Sequence, residues 1–91
     1  MRRKHKVDGN QAEIIDALRR MGAIVWDTSS LGCGFPDFVV YHSKFSLLEV
    51  KRPGEKLTPD EVIFFGNLPH DAPAYVVHSP EEAIEKVRGN E

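Results

Sequence analysis

The sequence predicts an α/β domain in the order αβββαβα, a mixed sheet with flanking helices. Three observations predict it. Apolar residues recur at helical spacing near both ends of the chain. Two β-rich runs, Gly34–Tyr41 and Phe45–Lys51, stand on either side of His42-Ser43-Lys44 and read as a hairpin. The strand–helix–strand unit over residues 45–78 calls for a right-handed parallel crossover.

The elements follow in order. Ile14, Ile15, Leu18 and Met21 give a first helix from about Asn10 to Met21, and Gly22 stops it. Ala23–Trp26 is a short strand, and Trp26 and Tyr75 read as core rather than as base-stacking residues. In the hairpin, a loop at residues 42–44 sets Tyr41 against Phe45. Thr58-Pro59-Asp60-Glu61 opens a second helix, with Thr as cap, Pro at the first position and Glu three after the cap. That helix carries Val62, Ile63, Phe64, Phe65 and Leu68 and ends by Pro69. Ala74–Val77 reads as a buried strand. Ser79-Pro80-Glu81-Glu82 repeats the capping chemistry, and Ala83, Ile84 and Val87 form the apolar face of the last helix.

Ninety-one residues make one domain, with residues 1–7 expected as a basic tail and 8–91 as the folded unit. Hydrophobic content of 41% and charged content of 29% fit a soluble globular protein. No apolar run approaches the ~20 residues that span a bilayer. The basic start, Met1–Lys6, has no apolar stretch after it and does not read as a secretory signal. A single cysteine, Cys33, fits a reducing cytosol, and the four histidines lack zinc-ligand spacing. The net charge of −2 is unevenly spread: residues 1–59 hold ten basic and seven acidic residues, and residues 60–91 hold two and seven. The basic groups of the first part suit phosphate contacts; the alternative for the N-terminal cluster is a solvated tail.

The hairpin register carries the chemistry. With Tyr41 against Phe45, Asp37 lies opposite Glu49, and Lys51 points to the same face. Directly opposed residues have Cβ atoms ~5 Å apart, and two opposed carboxylates destabilise a bare sheet. A hard divalent cation such as Mg²⁺ reverses that, since it takes one or two carboxylates plus phosphate oxygens. The alternative is a surface salt bridge from Glu49 to Lys51 or Arg52, with Asp37 merely starting its strand.

Pro36-Asp37, eleven further residues, and Glu49-Val50-Lys51 resemble the PD-(D/E)xK nuclease signature. The helix around Gln11–Ile15, the loop Gly32-Cys33-Gly34, and the helix opening at Leu57–Glu61 narrow the resemblance to stand-alone VRR-NUC domains. It spans roughly residues 8–88. The resemblance implies a restriction-endonuclease-like core and a divalent-metal-dependent, structure-selective DNA endonuclease using Mg²⁺ or Mn²⁺. It implies Asp37 and Glu49 as metal ligands, with the Val50 carbonyl as a third, and Lys51 as the residue that positions water or neutralises charge. Arg52, Lys56, Arg3 and Lys4 are expected phosphate contacts. A likeness to Holliday junction resolvases implies branched DNA, a homodimer and a cytoplasmic setting. Nicking or flap cutting, a catalytically weak nucleic-acid-binding module, and an interaction protein are the rival readings.

Two departures from the family stand out. Relatives commonly bring a Glu from the first helix to the metal. Here Gln11 lies within about 40° of the apolar face's centre, and Glu13 about 120° away. Gln11 therefore takes the family's acidic position, and Glu13 caps the helix in an Asn10-x-x-Glu13 box. The family commonly has Gln where this chain has Glu61. Glu61 either supplies the missing carboxylate or caps its own helix with Thr58. Phe64, Phe65 and Leu68 exceed what one helix face buries, so they are the expected dimer contacts.

Overall fold

The computed structural model describes residues 9–91. The chain runs α1 (Gly9–Arg20), β1 (Ile24–Asp27), β2 (Phe38–His42), β3 (Lys44–Val50), α2 (Pro59–Gly66), β4 (Ala74–Val77) and α3 (Pro80–Gly89). The four strands form one mixed sheet in the order β1-β2-β3-β4. The β1–β2 and β2–β3 pairs are antiparallel, and β3 and β4 run parallel. The parallel pair follows from the chain between them: α2 and its loops give the length that a parallel crossover requires.

The register decides what the hairpin presents. Phe38 pairs with Leu48 and Tyr41 with Phe45, the alignment expected from the sequence. The expected three-residue loop is tighter in the structure. His42 and Lys44 pair with each other, and Ser43 alone turns the chain, at φ 66°.

Period-two alternation then separates the two faces. Phe38, Val40, Leu48, Val50, Val25 and Val77 join one core with Ile14 and Leu18 of α1 and Ala83 and Val87 of α3. Eleven apolar side chains are buried there. Asp37, Val39, Tyr41, Phe45, Leu47, Glu49 and Lys51 occupy the alternate positions and belong to the other face.

Helix ends are closed as the sequence dictates, with two exceptions. Gly22, at φ 95°, accommodates the chain's exit from α1, and its N–H donates to the Arg19 carbonyl at 3.0 Å. Thr58 and Glu61 form a complete capping box on α2. Ser79 caps α3, but Glu82 reaches back to the N–H of His78 rather than to that of Ser79. The expected Asn10–Glu13 box is not there: α1 already includes Asn10, and Glu13 is exposed.

Three burial expectations are also corrected. Trp26 is 46% exposed, because β1 is an edge strand and Trp26 lies on its face away from the core. Tyr75 does pack against the core, as expected. β4, the other edge, is fully buried only at Val77. Phe64, Phe65 and Leu68 are half-buried, while Val62 and Ile63 are the exposed apolar residues of α2.

Candidate active site

Asp37 and Glu49 come together because the hairpin register puts them opposite each other at the ends of β2 and β3. The Val50 N–H donates to Asp37 Oδ2 at 2.8 Å, which fixes the carboxylate beside β3. Asp37 is thereby tied to the Val50 amide, while Glu49 and Lys51 extend from the same strand end. Glu49 is 2% and Lys51 6% exposed, so this is no surface salt bridge.

Lys51 is the hub of the charges. Its Nζ lies 2.8 Å from Glu61 Oε1, 3.5 Å from Glu49 Oε2 and 3.9 Å from Glu55 Oε2. Burial pulls the Lys51 ammonium down, but the hydrogen bond and charge of Glu61, with Glu49 and Glu55, outweigh it and raise its pKa. Lys51 is thus held charged.

Glu61 performs both roles that its position allows. Its Oε1 accepts the Thr58 N–H at 2.8 Å and the Lys51 ammonium at the same distance. Burial raises its pKa, but the bonds from Lys51 and Thr58 more than offset that and lower it. The capping box aims the carboxylate at the lysine.

Two glycine-dependent loops hold this corner. Gly34, at φ 79°, lies against the start of α2: a Cβ there would stand 2.3 Å from the Asp60 carbonyl oxygen. Phe35 beside it packs edge-on against Phe64, with ring centroids 5.3 Å apart. In the second loop, the Arg52 N–H donates to Glu55 Oε1 at 2.8 Å, which folds Glu55 back towards Lys51. Arg52 and Lys56 stay exposed on that loop.

The cluster lacks positive charge. Asp37, Glu49, Glu55 and Glu61 face one ammonium, a formal −3 with all groups ionised. Burial, then the charges of Asp37 and Glu61, push Glu49 up to about 8. Burial also raises Asp37, against the Val50 N–H that holds it down. Raised to about 8, Glu49 holds its proton at neutral pH, and losing it beside Asp37 is repulsive unless a cation takes the proton's place. Glu49 Oε1 is moreover buried without a hydrogen-bond partner. A buried oxygen of this kind costs free energy unless something meets it. These features fit a cation held by Asp37 and Glu49.

Among the described residues, no group of three or more His, Cys, Asp or Glu side chains is placed to hold a metal. A cation here would have Asp37 and Glu49 as its two carboxylates, the number that Mg²⁺ typically uses beside phosphate oxygens.

No protein-family model, curated protein or solved structure matches the chain.

Gln11 is half-buried on α1 and makes an interaction of its own. Glu13 lines a cleft between α1 and α3 with Asp16, Arg20, Glu81 and Ile84, away from the acids. Arg3 and Lys4 lie outside the described residues. Sequence reasoning missed the contact of Glu55 with Lys51, and it named the Gly32-Cys33-Gly34 loop without foreseeing that Gly34 presses on α2. The signal for Glu55 was the Pro53-Gly54 turn, which returns the chain towards Lys51.

Proposed function

We propose that the chain is a divalent-metal-dependent, structure-selective DNA endonuclease with a restriction-endonuclease-like core. The observation that carries this reading is the cluster of half-buried Asp37 with buried Glu49 and Lys51, short of positive charge and with Glu49 Oε1 unpaired.

Asp37 and Glu49 would hold Mg²⁺ or Mn²⁺, with the Val50 carbonyl as a further oxygen. A divalent ion bound there supplies Lewis acidity and makes a water ligand more acidic. Lys51, kept charged by Glu61, orients a water for attack or neutralises the scissile phosphate. Glu61 positions Lys51 through its Oε1, and its side chain also meets Glu49. Arg52 and Lys56 stand exposed beside the site, where a phosphate backbone would meet them. Membership of the VRR-NUC family remains part of this proposal, as does a two-fold dimer, which would place two sites on a branched substrate.

The test is cleavage of labelled four-way junction, flap, single-stranded and duplex DNA with Mg²⁺ or Mn²⁺. Metal-dependent cutting that Asp37→Asn abolishes is the expected result. Cutting by Asp37→Asn at the parent rate, or no cutting of any substrate, overturns the reading.

A further inference from the structure

The sheet face that carries Asp37, Glu49 and Lys51 continues into an aromatic surface. Ile24 pairs with Tyr41, Trp26 with Val39, and Tyr41 with Phe45, so Ile24, Trp26, Tyr41 and Phe45 share that face across three strands. Ile24 is 52% exposed, Tyr41 38% and Phe45 57%. The rings touch one another. Trp26 and Phe45 stack at 6.2 Å between centroids with 28° between planes, and Tyr41 meets Phe45 at 4.8 Å. Trp26 stands opposite Val39, two residues along β2 from Asp37, which is ~7 Å of strand.

Area decides what covers this patch. With 150–250 Å² for a whole aromatic side chain, the exposed parts sum to roughly 300–400 Å². A stable protein partner needs about 800 Å² from each side. The patch is therefore too small for a second copy and matches one or two stacked rings. Lys44, paired with His42, alternates onto the opposite face, and the Arg19 guanidinium is taken by the Val25 carbonyl at 3.1 Å, so neither cation belongs to the patch.

We infer that Trp26, Tyr41 and Phe45 form a stacking platform for unpaired nucleobases. Every base offers a π-face, so such a platform selects single-stranded segments without reading their sequence. The inference deepens the nuclease reading by naming the substrate feature, unpaired bases beside the cleavage site. It does not depend on catalysis for its test.

Trp26 is the chain's single tryptophan and reports directly on the patch. Its fluorescence is titrated with a short oligothymidylate and with a hairpin duplex, both in EDTA, so that cleavage plays no part. Saturable quenching by the single strand, at least about tenfold tighter than by the duplex, is expected. Tyr41→Leu and Phe45→Leu keep the surface apolar and remove one ring each; each should weaken binding about fivefold or more, with the melting temperature of the free protein unchanged. Undiminished binding by both Leu variants overturns the platform, as does equal binding of single strand and duplex. So does protein-concentration-dependent burial of Trp26 without DNA, which would assign the patch to a dimer. Quenching that survives in a chain without nuclease activity keeps the platform and rejects the nuclease. Cleavage without quenching does the reverse.

Discussion

At the scale of single residues, the site is a carboxylate pair that the fold compresses and a lysine that cannot balance it. Removing either acid should separate chemistry from stability. Asp37→Asn and Glu49→Gln should each abolish metal-dependent cleavage while circular dichroism stays that of the parent. Lys51→Ala should retain metal binding by calorimetry and lose about 10²–10⁴-fold in rate, the usual worth of a positioned acid–base group. A loss below about tenfold would make Lys51 a structural cation only. The pH dependence follows from Glu49. Its folded pKa of about 8 lies above the ordinary carboxylate value, so folding takes up a proton. Its contribution to stability is present at low pH and is lost as pH rises towards about 8. In EDTA, the melting temperature should therefore fall between pH 5 and pH 8. Glu49→Gln should flatten that slope, and Mg²⁺ should restore stability at the alkaline end. A melting temperature that rises over this range in the parent protein would contradict the placement of the acids.

At the scale of elements, α2 is held less by burial than by its first turn. It has no fully buried residue, yet its capping box delivers Glu61 to Lys51. Thr58→Ala should cost about 1 kcal/mol of stability. It should also weaken the hold on Lys51, so the rate should fall together with the melting temperature. Gly34→Ala should cost more. Its left-handed backbone alone is worth about 1–2 kcal/mol, and the new methyl group would strike the Asp60 carbonyl. Gly32→Ala is the control: it shares a positive φ of 74° but meets nothing within 4 Å. Melting curves should rank Gly34→Ala well below Gly32→Ala. Equal losses would show that the loop does not press on α2.

At the scale of the whole molecule, two apolar surfaces remain outside the core: the aromatic sheet patch and the outer side of α2. Val62 and Ile63 on α2 are the exposed candidates for a contact between copies. The proposed dimer predicts about twice the chain mass in light scattering at low micromolar concentration, and Val62→Glu should return it to the monomer. A monomer both free and bound to DNA would favour nicking or flap cutting over junction resolution.

The sequence by itself determined the order of elements, the hairpin register and hence the meeting of Asp37, Glu49 and Lys51. These depend on local rules: alternation along a strand, apolar spacing along a helix, and caps with one donor and one acceptor. Glu61 was legible as a cap for the same reason. Its second bond, to Lys51, was not, because that bond depends on where the 52–57 loop returns the chain. Tertiary structure alone decided the burial of the cluster, which turns a cheap exposed ion pair into a site short of positive charge. It also decided the fate of Trp26. An aromatic residue in a β-rich run reads as core, but on the face of an edge strand away from the core the ring is left in solvent. Local pattern specifies which face a side chain takes; only the packing of distant elements determines whether anything covers that face.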